Sequence, residues 1–335
     1  MSDSITNSYG LLRSIAMWNI GPTYGKVFVV CPAADANYNR LADMFVPDGE
    51  GAIRLFTSLE SAYAATTSNQ NDVMLLTGNE WHNVVSTLTL AKSRVHLIGM
   101  GFGTGAFRGR YTDQASKVQF TANTVATNAD LLHVTGTRNI IRGIKFVNSN
   151  TDASSLYCAN FYGCEGVLVE GCSFLQLDKL GTTTAADVCM GCDSCTFRDC
   201  EFGFDTLTQT AARATMLIDS TNGGGRFKDN YFENCHFKSQ SKSSSKLHIK
   251  VADTNSVLFT NLFDNCTFQC AIMSSTSAIA ATNAVASATG LVEGTLYFRN
   301  PGVFGCTNFC ATITDGVKVF ATAASNNAFE SVTPA

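Results

Sequence analysis

Residues 189 to 204 read CMGCDSCTFRDCEFGF and place Cys189, Cys192, Cys195 and Cys200 within twelve positions. Cysteines at C-x2-C-x2-C spacing resemble part of a cluster-binding run, because thiolates bind soft metals and iron–sulfur clusters. No second C-x2-C follows downstream, however, and the stretch recurs elsewhere as Cys and Phe together. Cysteine is also a small, habitually buried side chain. The expectation is therefore four reduced, metal-free cysteines on different sides of one structural coil, packed in a core.

Other residues with chemical potential are more dispersed. Asp178, Asp187, Asp193, Asp199 and Asp205, with Arg198, could supply the carboxylates and the base of a polysaccharide lyase or hydrolase. They form no motif. Asp199 precedes Cys200 where other segments have Gly171, Asn234 and Asn265, which marks a turn. Arg198 reads as a solvated strand side chain. His82, His96, His133, His236 and His248 show no HxH, HExxH or Ser/His/Asp spacing. His236 lies between Cys235 and Phe237, so it should face solvent if those two face inward. The glycines of GMGFGTG (99 to 105) lack the amphipathic helix or Lys-Ser/Thr that a nucleotide site needs. No catalytic, cofactor-binding or metal-binding residue is assigned.

The composition narrows the class. The 335 residues are 45% hydrophobic and 15% charged, which suits a folded globular or solenoid protein. A net charge of -4, with no basic run beyond KSQSKSSSK (238 to 246), argues against nucleic acid or an anionic membrane as a partner. No segment reads as a signal peptide or a membrane span. Thirteen cysteines in such a chain point to folding in a reducing cytoplasm.

Sliding the cysteine-rich stretch along the chain explains it. FYGCEGVLVEGCSFLQ (161 to 176) aligns with it at an offset of 28, superposing Gly163 on Gly191, Cys164 on Cys192, Cys172 on Cys200 and Phe174 on Phe202. The same step backwards reaches Phe146; YFENCHF and LFDNCTF continue the series to Phe237 and Phe268. Each unit carries apolar-x-x-Asn/Asp/Gly-Cys-x-Phe and then a polar, variable connection. A strand so short cannot bury its own face, but stacked copies can. The fold class is therefore all-β, a parallel β-helix with coils about 4.8 Å apart. Phe146, Phe174, Phe202, Phe237 and Phe268 should form one ladder, and Cys172, Cys200, Cys235 and Cys266 another. Disulfides between ladder neighbours are disfavoured at that spacing. Upstream, Thr57 and Glu60 suggest a capping box for a short helix to about Thr67, with Leu59, Ala62, Tyr63 and Ala64 on its apolar face. Residues 1–56 then form an N-terminal arm and cap region, and 57–335 the β-helix with an irregular C-terminal part.

The apolar-faced helix followed by DVMLLTG and TLTLAKSRVHLIGMG resembles the opening of pectate-lyase-like right-handed β-helix proteins. GKVFVVCPAADANYNRLADMFVPDGEGAIRLFTSLESAYAA further resembles the N-terminal part of tailed-phage virion proteins encoded beside capsid genes; the likeness covers residues 25 to 150. It implies a right-handed coil and a structural component of the virion, assembled in the host cytoplasm. The role expected is capsid decoration or another head-associated function, with the major capsid or other virion proteins as partners. The alternative is a tailspike or receptor-binding protein that cleaves a glycan. Homotrimeric association follows from the same resemblance, with the arm bearing Trp18, Ile20 and Pro22 and the Ala/Ser/Thr stretch 271 to 290 as candidate contacts. No cofactor is implied.

Overall fold

The computed structural model describes residues 25–44, 54–77, 80–100, 116–121, 130–150, 155–177, 185–209, 213–241, 247–271, 283–287, 291, 293–306, 308–310 and 316–320. The expected arm at 1 to 24, most of GMGFGTG, most of 271 to 290, and Asp178 lie outside them. So does the side chain of Asp205, although its backbone belongs to strand Glu201–Gln209.

The chain winds as a right-handed parallel β-helix, the hand that parallel crossovers take. One coil runs through Tyr157–Glu165, Leu168–Glu170 and Ser173–Gln176; the next runs through Ala186–Asp193, Thr196–Arg198 and Glu201–Gln209. Corresponding strands stack in parallel, so that Ala159 lies under Val188, Val169 under Phe197, and Phe174 under Phe202. We call the three stacks sheet C, sheet A and sheet B, in that order along the coil. Among the described residues, sheet B has eight strands, and A and C together make a 20-stranded sheet, joined where Val257–Asp264 pairs with strands of both.

Inward positions of all three stacks form one continuous core. In sheet B the expected phenylalanine ladder is present, with centroids at 5.4, 5.7, 5.0 and 4.8 Å from Phe146 to Phe268 and nearly parallel rings. A second ladder, Phe197, Phe232, Phe263 and Phe298, fills sheet A at 4.6, 4.5 and 4.8 Å. Rings offset in this way gain from stacking as well as from burial.

The turn from sheet A to sheet B explains the residues before each cysteine. Gly143, Gly171, Asp199, Asn234, Asn265 and Asn300 all have left-handed backbones, with φ between +49° and +67°. This is the region that glycine, asparagine and aspartate tolerate. Their N–H groups donate to the next coil, as from Asp199 to the Glu233 carbonyl (2.9 Å) and from Asn234 to that of Asp264 (2.9 Å). Behind the turn, Cys172, Cys200, Cys235 and Cys266 point inward as free thiols, each donating to a carbonyl one coil earlier at 3.4 to 3.6 Å.

Helix α1 spans Tyr38–Met44 and α2 spans Leu59–Ala65. Helix α2 differs in detail from the sequence reading. Its N-cap is Ser58, which accepts from the Ser61 N–H, rather than Thr57, and Ala64 is exposed. Glu60 instead reaches outward to accept from the Val85 N–H (3.0 Å). Leu59 and Ala62 close the end of the core, and Lys92 Nζ caps the helix by donating to the Tyr63 and Thr66 carbonyls at 2.7 Å each. Part of the Ala/Ser/Thr stretch, Asn283–Ser287, is a strand of sheet C.

Phe202→Ala should cost about 3–5 kcal/mol, because the ring is fully buried between Phe174 and Phe237. Hydrogen exchange of the three adjoining coils is the readout, since so long a solenoid need not unfold in two states. Unchanged protection there would contradict the ladder.

Candidate functional site

The four clustered cysteines separate, but not entirely as expected. Cys200 sits in the thiol ladder. Cys189 faces outward from sheet C into a separate buried cluster with Tyr157, Ala186, Ala214 and Leu217. Cys192 and Cys195 do converge, meeting Cys164 of the coil below at the corner between sheets C and A. Ser194, with a left-handed backbone (φ +54°), turns the chain just before Cys195; the 28-residue alignment had placed Cys164 under Cys192, but not Cys195 beside them. The Cys195 thiol is held low because its two thiol neighbours and the Val167 N–H (3.4 Å) stabilise its anion. Among the described residues, no group of three His, Cys, Asp or Glu is arranged to hold a metal ion.

The acidic residues also part company. Asp187 points into the solenoid and pairs with buried Arg213 (3.1 Å). Asp193 pairs on the surface with Lys228 (2.5 Å). Asp199 is the left-handed turn residue that its alignment implied, and burial pushes its carboxyl up while the Asn234 side chain pulls it back. Arg198 is not simply solvated: it belongs to an outward column of sheet A in which Arg142, Glu170, Arg198, Glu233, Asp264 and Arg299 follow one another coil by coil. Arg142 pairs with Glu170 (2.5 Å), Arg198 with Glu233 (2.7 Å) and Arg299 with Asp264. Lys238, from the basic stretch, is buried against Glu201 (2.9 Å).

The five histidines take different roles. His82 lies inward, under Val118, and donates from Nε2 to the Thr77 carbonyl (2.9 Å). His96 accepts from the Ile140 N–H at Nδ1 (3.1 Å), which requires an unprotonated nitrogen there. Burial holds both down to about 4. His248 is buried beside Thr215 (3.3 Å). His236 faces outward as expected but is half-buried, and desolvation lowers it, with Lys238 adding to the effect.

His133 stands apart because the outer face of sheet C gathers polar groups around it. Its Nδ1 lies 2.5 Å from Asp130 Oδ2, with Asp130 buried and His133 partly exposed. Sequence reasoning missed this pair, although the three-residue spacing could have suggested it. Two outward columns run up this face three residues apart, one through Asp130, Tyr157, Ala186 and Ala214, the other through His133, Asn160, Cys189 and Leu217. The His133 ring packs 5.1 Å from that of Tyr162.

A strap closes the face. Residues Asp219–Gly225 leave the coil above and descend two coils, where the Gly223 carbonyl accepts from the Gly163 N–H (2.8 Å) and the Asn222 carbonyl from Asn160 Nδ2 (3.0 Å). Asp219 fixes the bend by accepting from the Thr221 and Asn222 N–H groups. Glycine is needed where the strap crosses: a Cβ at Gly191 would lie 2.3 Å from the Gly223 carbonyl oxygen. The alignment of Gly163 with Gly191 was thus the sequence trace of a groove for this strap. Cys189 is no activated nucleophile, since burial and then the Asp219 and Asp130 carboxylates push its thiol up. The arrangement offers an oriented imidazole, exposed aromatic surface and buried acceptors.

No protein-family model matches the chain, and no curated protein matches it. Among solved structures it is similar to a pectate lyase at 11% identity and a TM-score of 0.46, covering 92% of this chain and 79% of that one. A pectin methylesterase from Erwinia chrysanthemi is 12% identical with a TM-score of 0.44, covering 94% of this chain and 99% of that one. ORF18 of Geobacillus virus E2 is 16% identical with a TM-score of 0.39, covering 79% of this chain and 54% of that one. At these values the likenesses carry no inference of shared activity.

Two predictions follow from this geometry. Gly191→Ala should displace the strap, seen as faster hydrogen exchange at Gly163 and Gly223–Gly225 while the coils below the site keep their protection; an unmoved strap would refute the steric argument. For His82 and His96 the folded pKa lies below the unfolded value of about 6.5, so the unfolded state takes up protons first as pH falls. Their contribution is complete above about pH 6.5 and is lost between there and about pH 4. Denaturant midpoints measured across that window should fall, and His82→Gln should flatten the slope.

Proposed function

We propose that this chain is a structural protein of a tailed-phage virion, a capsid-decorating or head-associated β-helix that acts by binding and stabilising the shell. The outward charged column of sheet A carries this reading: its carboxylates are engaged with arginines of neighbouring coils, in the pairs Arg142–Glu170, Arg198–Glu233 and Arg299–Asp264. Such pairing suits a rigid lateral surface better than a pair of carboxylates poised for hydrolysis. The sequence resemblance over residues 25 to 150 supports the same class.

A solenoid has exposed flanks and ends that association can cover, and a homotrimer would also give each weak contact with the shell the benefit of its linked copies. The second reading is a tailspike or receptor-binding protein that acts on a glycan. The Asp130–His133 pair beside exposed Tyr162 favours it, because an imidazole oriented by a carboxylate can act as a general base.

Cryo-EM of the intact particle, with light scattering on the purified protein, separates the two. Density on the head and a trimer in solution are expected. Density at the tail, or depolymerisation of a host glycan that His133→Ala abolishes, would replace decoration with the tailspike reading.

A further inference from the structure

On the outer face of sheet C, Asp130 and Asn160 are each 4% exposed, and Asp130 Oδ1 and Asn160 Oδ1 are buried without a hydrogen-bond partner. The other atoms of both groups are engaged: Asp130 Oδ2 with His133, and Asn160 Nδ2 with the Asn222 carbonyl. His133 and Asn160 lie opposite each other on adjacent coils, so one neighbourhood contains both unsatisfied oxygens. Native structures seldom leave a buried acceptor unmatched, and least of all a carboxylate oxygen.

Three features define what would match them. Both atoms are acceptors, so the occupant donates. The local field is negative: Asp219 and Asp130 both act on Tyr157 and on Cys189, pushing each up. The rim is aromatic, with Tyr162 40% exposed and its ring against that of His133, and a ring face attracts a cation. Gly224 packs against Tyr162, where a Cβ would lie 2.3 Å from the ring.

We propose that Asp130, Asn160, His133 and Tyr162 form a binding site for an organic cation, an alkylammonium or guanidinium group such as a lysine or arginine side chain or a polyamine carries. Asp130 Oδ1 and Asn160 Oδ1 accept its N–H groups, and the Tyr162 ring covers its apolar side. His133 positions the carboxylate by occupying the other oxygen.

The test uses the isolated full chain, so its outcome is independent of where the protein sits on a particle. The imidazole resonances of His133 are followed by NMR during titration with n-butylammonium or N-methylguanidinium chloride, against sodium chloride at matched ionic strength. A saturable shift with either cation, absent with sodium, is expected; preference between the two identifies the amine or guanidine source. Asp130→Asn should weaken binding by about tenfold or more, as loss of a charge-assisted contact does. Tyr162→Leu, a change at an exposed position, should also weaken it, and it decides the matter if Asp130→Asn does not fold. A non-saturating shift equal to that of sodium, undiminished binding in both variants, or an ordered water on the two oxygens that neither cation displaces would each overturn the site.

Discussion

Parallel strands hydrogen-bonded in register, coil upon coil, are the constraint on which everything else in this molecule depends. Backbone groups of one coil are satisfied by the next, so the winding cannot slip without exposing a whole row of donors and acceptors. Equivalent positions are thereby forced about 4.8 Å apart, and a residue suited to stacking on itself is favoured at each. Phenylalanine fills two inward columns, cysteine a third, and left-handed Gly, Asp or Asn the turn between sheets A and B. The same register places like charges one above another on the outside, and alternation of Arg with Glu or Asp relieves most of that repulsion. Only Glu233 beneath Asp264 breaks the alternation, and each of these has an arginine on its other side.

Departures from this regularity are where the chemistry gathers. A perfect ladder leaves each outer column uniform, yet sheet C carries Asp130, Tyr157, Ala186 and Ala214 in one column and His133, Asn160, Cys189 and Leu217 in the other. The upper coils carry apolar Ala186, Ala214, Cys189 and Leu217 and the lower ones polar Asp130, His133 and Asn160, and the Asp219–Gly225 strap crosses the coils to reach Asn160 and Gly163. This contact between non-consecutive coils ties the coil bearing Tyr162 and Gly163 to one two turns later. A segment that crosses the repeat in this way adds long-range constraint that a nearest-neighbour solenoid lacks.

The inward polar groups tell the same story in the interior. Asp187 with Arg213, and the hydrogen-bonded Asn148 and Gln176, occupy the corner where sheet B gives way to sheet C. A carboxylate survives there because a guanidinium and the Gln176 N–H (3.0 Å) share it. Removal of one partner would leave the other buried and uncompensated, so such groups fix the path of the corner more than they add to stability.

The repeat of 28 residues, the aromatic and thiol ladders and the turn at Asp199, Asn234 and Asn265 were all legible in the sequence, because each is a local pattern that stacking copies from coil to coil. The second ladder through Phe197 and Phe232 is equally regular. What a single coil cannot encode was not legible. Ser58 rather than Thr57 caps helix α2, since the choice depends on where the helix docks on the core. Cys195 meets Cys164 and Cys192 only where two successive coils turn the same corner, and Asn160 is reached by a strap that arrives from 62 positions away in the chain. Sequence determined the period and therefore the fold; the tertiary structure decided which outward residues share a neighbourhood, because loops of unequal length set that neighbourhood and the periodic code says nothing about them.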